Sequence, residues 1–347
     1  RPFTVNKNNY IYLTDNGRIH ANLDLHDEQG TGLSFYTNRE DTIAKQDMTV
    51  ELSRINLKEF RRILPYMPDM EGWIGAEAHY IDSGPYMMVS SDLRIDEFKY
   101  EGSALGNWEL GGVYLPGEAK DHHLDAYIRH DGEEIAHLGG IYLPAEEGTG
   151  SLSADIAFEH FPLNVANPFV PDRMVELDGD IDGTLSMKGD PAKPLLNGEL
   201  ALDSVTFFMP EMSAMFRFDN EPVQVVNSKM MFKEFDIFTK GKTPFTINGE
   251  VDFSDLERTA VNLKMHAENY ELLNAPRTKR AMVYGKMYVD FNATLRGPVE
   301  ELVMRGNMNI LGKTNVTYVL KDSPLTVNDR LGDMVTFVNF NDTTSVE

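Results

Sequence analysis

Apolar residues recur at every second position along most of this chain. Between Phe245 and Phe253 the odd positions hold Phe245, Ile247, Gly249, Val251 and Phe253, against Thr246, Asn248, Glu250 and Asp252 at the even ones. Such alternation predicts a strand with one dry and one wet face. The same period runs through Leu124, Ala126 and Ile128, then Leu152, Ala154, Ile156 and Phe158, and then Ile181, Leu185 and Met187. Downstream it returns in Val261, Leu263 and Met265, and in Met287, Val289, Phe291, Ala293 and Leu295. It continues through Met304, Met308 and Ile310, and through Val316, Tyr318 and Leu320. Turn signals such as Asp131-Gly132, Gly189-Asp190-Pro191 and Gly297-Pro298 punctuate these runs. Helical periodicity is confined to Asn56–Leu64, where Asn56 can cap and Leu57, Phe60 and Leu64 fall on one side before Pro65 and Pro68. At two turns this is a connector helix rather than a membrane-surface helix. The expected class is all-β.

The strands are organised by an internal repeat. Leu93-Arg-Ile95-Asp-Glu-Phe98-Lys-Tyr100 superposes on Leu200-Ala-Leu202-Asp-Ser-Val205-Thr-Phe207. Met308-Asn-Ile310 leading to Val316-Thr-Tyr318 forms a third copy with a small insertion. Gly72, Gly179 and Gly285 keep the same spacing upstream, and Asn56-Leu57, Pro162-Leu163 and Glu271-Leu272 precede them as connectors. A fixed period signals a repeat architecture in which each unit contacts mainly its neighbours. The expected layout is the end of a preceding repeat over 1–50, repeats over 51–157 and 158–266, and a partial repeat over 267–347, forming one elongated body. The dry faces would either meet in a closed core or line an open, curled trough.

Charge and composition narrow the partners. The 347 residues carry 32 Lys and Arg against 55 Asp and Glu, a net charge of −23. Phosphate binding needs a basic stripe, so nucleic acid is excluded as a partner, as is direct attraction to anionic headgroups. The absence of Cys removes disulfides, thiolate metal sites and thiol nucleophiles. No run of 18 or more uninterrupted apolar residues offers a bilayer-spanning helix. The chain opens Arg1-Pro2-Phe3 and ends mid-pattern, so a fragment of something longer is expected. The 18 Met residues, several of them on dry faces, suit a surface that accommodates variable apolar ligands, and suit a core equally well.

Motifs for chemistry are missing their key members. Asp178-Gly-Asp180-Ile-Asp182 imitates the start of a calcium loop, but the twelfth position is Gly189 instead of Glu and the three Asp belong to the wet side of a strand. Asp121-His122-His123-Leu124-Asp125 with His130 could suggest a metal, but it has no counterpart in the other repeats and reads better as loop histidines. Neither a Gly-x-Ser-x-Gly elbow nor His-Glu-x-x-His occurs. No catalytic residue, metal or cofactor is expected, and the chain reads as a non-enzyme.

Three stretches carry a family resemblance: Leu196-Asn-Gly-Glu-Leu-Ala-Leu-Asp-Ser-Val-Thr, Ile247-Asn-Gly-Glu-Val-Asp-Phe, and Val283-Tyr-Gly-Lys-Met-Tyr-Val-Asp-Phe-Asn-Ala-Thr-Leu-Arg-Gly-Pro. With the tail from Asn315 to Asp329, they resemble the C-terminal half of the TamB family, in its Bacteroidetes-type branch. The likeness is sharp from about 175 to 340 and diffuse but in register before that. It implies a curled β-sheet with an apolar interior, within a periplasm-spanning protein related to AsmA and the bridge-like lipid-transfer proteins. The inner-membrane anchor would lie outside this fragment. Partners implied by the family are phospholipid acyl chains and a BamA- or TamA-like outer-membrane protein, the latter met by regions outside this fragment.

The expected function is a lipid conduit between inner and outer membrane that supports outer-membrane biogenesis. Its groove would be lined by Leu93, Ile95, Leu152, Ile156, Phe158, Ile181, Leu185, Met187, Leu200 and Leu202. Further along, Phe245, Ile247, Val251, Phe253, Val261, Leu263, Met265 and Met287 would continue it, followed by Val289, Phe291, Leu295, Met304, Met308 and Ile310. The alternative is a scaffold or chaperone for outer-membrane protein assembly, using unpaired sheet edges.

Overall fold

The computed structural model describes residues 2–38, 44–84, 87–117, 120–145, 149–170, 173–210, 213–255, 258–277 and 282–319. Leu320 and the tail that shares in the family likeness lie outside the described residues. Alternation becomes strands in chain order. They begin with β1 (Thr4–Val5), β2 (Tyr10–Leu13), β3 (Ile19–His26), β4 (Gly32–Thr37), β5 (Gln46–Asn56), β6 (Met70–Asp82) and β7 (Met87–Tyr100). Then follow β8 (Ser103–Pro116), β9 (His122–His130), β10 (Glu133–Leu143), β11 (Ser151–Pro162), β12 (Glu176–Gly189) and β13 (Leu195–Met209). The last are β14 (Ala214–Phe218), β15 (Val223–Val226), β16 (Lys229–Phe238), β17 (Phe245–Asp252), β18 (Ala260–Ala275), β19 (Val283–Pro298), β20 (Val303–Ile310) and β21 (Asn315–Tyr318).

All 21 strands belong to one antiparallel sheet. From β3 to β13, and again from β16 to β19, each strand pairs with the next in sequence. Short strands share a row at three places: β1 and β2 beside β3, β14 and β15 between β13 and β16, and β20 and β21 beside β19. At about 4.8 Å per row this meander extends roughly 80 Å across its strands. The chain exposes 23233 Å², against about 14,000 Å² for a compact protein of this mass. A sheet with no second layer along most of its length contributes to that excess.

Tight turns sit where their residues tolerate positive φ. Asp131-Gly132, at φ 50° and 92°, joins β9 to β10, and Glu101-Gly102, at 46° and 76°, joins β7 to β8. Two consecutive positive φ values match the right-handed twist of the flanking strands. The helix α1 (Leu57–Ile63) forms as expected, with Asn56 Oδ1 accepting from the Lys58 N–H at 2.9 Å. Leu57 is buried, but Leu64 ends the helix and is 52% exposed, so it does not share the packed side. The Pro162-Leu163 connector is a 3-10 helix, Leu163–Phe169. The third expected connector, Glu271-Leu272, is strand: β18 runs on to Ala275 because Tyr270 and Leu273 are held in the core against β19.

A row of bulges crosses the sheet. In β7, β11, β16 and β18 the ladder skips at Glu97, His160, Glu234 and Asn269, each with φ near +50°. In each case the left-handed residue's backbone N–H is held by an Asn or Asp opposite it on the next strand. Asn107 Oδ1 accepts from Glu97, Asp182 Oδ1 from His160, Asn248 Oδ1 from Glu234 and Asp290 Oδ1 from Asn269, at 2.7–2.9 Å. Asp182, at the end of the imitation calcium loop, is therefore a backbone clamp. Glycine also stands opposite bulges, on the strand before. Gly179 (φ 97°) faces the Asp203–Val205 bulge of β13, and a Cβ there would lie 2.7 Å from Val205 Cα. Gly72 faces Asp96–Phe98 of β7 in the same way, with Asp96 O at 2.8 Å from such a Cβ. Bulges of this kind bend the strand and sharpen the local twist, so aligned bulges curl the sheet.

Candidate functional site

Residues directly opposite each other in an antiparallel ladder project to the same side, so the register settles which apolar residues share a face. Leu93 pairs with Leu110, Ile95 with Trp108, Leu110 with Ile128, Ile128 with Ala136 and Ala136 with Phe158. Ile156 pairs with Leu185, Phe161 with Ile181, Ile181 with Leu202 and Met187 with Leu196. Through Leu200–Val223 and Val225–Met230 the face crosses the split row to Met230–Val251 and Ile247–Phe235. It then runs through Val251–Val261, Met265–Ala293 and Leu263–Leu295 to Leu295–Met304, Phe291–Met308 and Val289–Ile310. All the expected lining residues except Phe253 thus share one face of one sheet. Phe253 follows the end of β17 and donates its backbone N–H to Ser228 O at 3.0 Å.

That face changes character along the sheet. Beyond the bulges of β13 to β19 it closes. Phe216, Val223, Phe235, Ile237 and Leu273 form a buried cluster against which Leu202, Phe207, Phe245, Met287 and Val316 pack. Phe207 stacks on Phe216 at 4.5 Å with the planes 8° apart, while Phe232 meets Phe235 edge-on at 5.4 Å. β18 outruns β17 at this end, and β14 comes up against it, so strands that are not neighbours in the sheet meet there. Val289 is 1% exposed. Leu202 and Val289 therefore belong to a core, whereas Met304, Met308 and Ile310 on β20 are more than half exposed at the sheet edge.

Between β8 and β12 the face stays open and holds a cavity of about 410 Å³. Gly140 and Ala154 make its floor; Leu124, Leu138, Leu152 and Met187 line it with aliphatic carbon; Tyr114, His122 and Tyr142 stand along one side. The floor is low because a Cβ on Gly140 would lie 2.8 Å from that of Ala154. Leu152 and Met187 were expected in the lining. The aromatic side was not, although Leu138-Gly-Gly140-Ile-Tyr142 shows the alternation that could have revealed it. His122 and His123 project to opposite faces: His122 lies against Tyr114 and Tyr142, at ring distances of 5.7 and 5.8 Å, while His123 bonds Asp121 at 2.7 Å. Adjacent strand positions cannot share an ion, and no metal-binding cluster occurs among the described residues.

The opposite face is charged. Tyr127 donates to Glu109 at 2.8 Å, and Arg129 bonds the same carboxylate at 3.0 Å while lying over the Tyr127 ring. The Tyr127 hydrogen bond, with Arg129 and Arg94 nearby, holds the Glu109 carboxyl below its usual value. Burial and Glu109 push the Tyr127 phenol up to about 12. His137 is raised by its bond to Asp125, at 3.0 Å, and by Glu134. These are cross-strand pairs that hold ladders together, and Tyr127, Asp92 and Arg94 also line an open cavity of about 580 Å³ on this face, with Glu51, Glu77 and His79.

Residues 234–346 match the family model of the TamB C-terminal domain. The chain carries a TamB C-terminal domain. The match begins at the Glu234 bulge and takes in the second half of the closed core, the long β18–β19 pair and the β20 edge. Neither a curated protein nor a solved structure matches the chain. The TamB family comprises transport and assembly proteins of the cell envelope that are not enzymes, and its domain brings a TamB-like role in outer-membrane biogenesis, in association with the outer-membrane assembly machinery. No helix among the described residues is long and apolar enough to cross a membrane.

Proposed function

We propose that the apolar face is a conduit along which phospholipid acyl chains move between inner and outer membrane, the TamB domain lying toward one end of it. The supporting observation is the register: one apolar face continues from strand to strand across the whole sheet, and much of it stays accessible. Exposing lipid tails to water costs about 0.8 kcal/mol per methylene, on the order of 12 kcal/mol for a sixteen-carbon chain. On a continuous apolar lane each step exchanges one hydrocarbon contact for another, while the charged opposite face keeps the sheet in solution. A photo-crosslinker at Leu152 or Leu263 should capture phospholipid in cells, and Leu263→Glu should abolish capture downstream of it without unfolding the chain. Unchanged lipid capture in Leu263→Glu would refute the conduit.

The exposed edge of β20 supports a second reading. Every residue from Val303 to Ile310 is exposed, and among the described residues no strand pairs with its outer side. Such an edge can add a strand from a client or partner polypeptide. Crosslinkers at Arg305 and Asn307 would capture polypeptide under this reading, and those at Leu152 would not capture lipid.

A further inference from the structure

We infer that the cavity between β8 and β12 is a holding site for an amphiphile whose head presents a hydrogen-bond acceptor oxygen, a carboxylate or a lipid phosphate or ester. This rests on the conduit reading and adds a place where the conduit recognises a head as well as a tail. The cavity's volume lies within the range of ligand pockets, about 300–1,000 Å³, and its walls are otherwise hydrocarbon and aromatic ring. From β8 to β12 the strands' apolar stripe carries two imidazoles, His122 and His130 at the two ends of β9. His130 is committed, its Nε2 bonded to Leu105 O at 2.9 Å with Trp108 against the ring. His122 is half committed: Nδ1 is hydrogen-bonded to the Tyr114 hydroxyl, and among the described residues nothing bonds Nε2.

That asymmetry chooses the ligand. A phenol is a stronger hydrogen-bond donor than acceptor, so Tyr114 donates its O–H to Nδ1 and the imidazole carries its proton on Nε2, a donor beside hydrocarbon walls. A donor so placed selects a head that offers an acceptor. The Tyr142 ring lies tilted against the same imidazole at 5.8 Å, and its hydroxyl, also without a partner among the described residues, is a second donor along that side of the cavity. An alkyl chain attached to that oxygen would lie over Gly140 and Ala154 toward Leu152 and Met187.

The test displaces pyrene, a headless apolar fluorophore, from the full chain in 150 mM salt. The competitors are dodecanoate, dodecylphosphocholine and dodecyltrimethylammonium, all below micellar concentrations. The tails are eleven or twelve carbons long and only the first two heads carry acceptor oxygen. At least one of those two should displace pyrene at concentrations roughly tenfold below the ammonium amphiphile; which of them does so separates a free acid from a phospholipid head. His122→Phe should erase that advantage while keeping pyrene binding, and Tyr114→Phe, which releases the tautomer, should reduce it. Equal displacement by all three heads, or an advantage that survives His122→Phe, would overturn the holding site and leave the conduit standing. If Leu124→Glu and Leu263→Glu leave binding of every probe unchanged, the conduit falls with it.

Discussion

From β13 onward the apolar face folds onto itself around Phe207, Phe216 and Phe235, while between β8 and β12 a face of the same pattern stays open over Gly140 and Ala154. Both regions are built from alternating strands in register on one sheet, and both face the same side. What differs is the strand ends and the side-chain sizes. Downstream, β14 and β15 divide one row, β17 is short, and β18 outruns it, so strand ends can converge and large aromatic side chains fill the gap. Upstream, each row from β8 to β12 is a single undivided strand, and small residues keep the floor low. Alternation makes a dry face; whether that face becomes core or groove is decided by where neighbouring strands stop.

The sharpest way to break this contrast is to empty each region in turn. Phe235→Ala should cost about 3–5 kcal/mol of stability in chemical denaturation, since it leaves a cavity in a filled core. Leu124→Ala, at a residue 45% exposed, should cost under about 1 kcal/mol and act on ligand capture instead. Equal losses at the two sites would mean that the upstream face is also a core. Next in size is Gly179→Ala: a Cβ 2.7 Å from Val205 Cα, at φ 97°, should cost about 1–3 kcal/mol. Gly189→Ala, at φ 105° but with open space around it, should show only the smaller backbone component.

Asn248→Ala removes the acceptor from the Glu234 bulge and should cost about 1–2 kcal/mol. Asn248→Asp, which keeps an acceptor, should restore most of it; failure to restore would mean the bulge does not depend on its clamp. The smallest effect belongs to the charged face. His137 is raised by Asp125, so its contribution to stability is full below its ordinary value of about 6.5 and fades as pH rises through the raised value. Between pH 6 and pH 8 the wild type should therefore lose slightly more stability than His137→Gln, and an identical pH slope in the two would remove the pair from the account.

The strands, the turn at Asp131-Gly132, the Asn56 cap and the shared face of residues as distant as Leu93 and Ile310 were legible in the sequence, because period-2 patterning and turn chemistry are local. Burial was not. Val289 and Leu263 look alike in sequence, two apolar positions on alternating strands, yet one is sealed beneath Tyr270 and the other is half open. A charge at Val289 would therefore unfold the region, and one at Leu202 would disturb the aromatic core, so of the positions with a clear pattern Leu263 is the better place to block the lane. The cavity was missed because His122 reads as a loop residue until the ladder shows it paired with Tyr142. The repeated glycines were visible as a spacing, but their purpose needed the partner strand, since a bulge on one strand dictates the small residue on another.

The clamps at Asn107, Asp182, Asn248 and Asp290 also bear on how such a molecule can change its length. A long, uniform meander has little to stop a hairpin from sliding two residues along its neighbour, since the dry face would still be dry. A left-handed residue that needs one particular side chain opposite it removes that freedom, because a slipped hairpin would strand the backbone N–H and set a side chain where only a small one fits. Each hairpin is thereby indexed to the last at a fixed height. Pairs of strands can be inserted or deleted during evolution without disturbing the alignment of those already present, so the span of the sheet can be matched to the distance it has to cross.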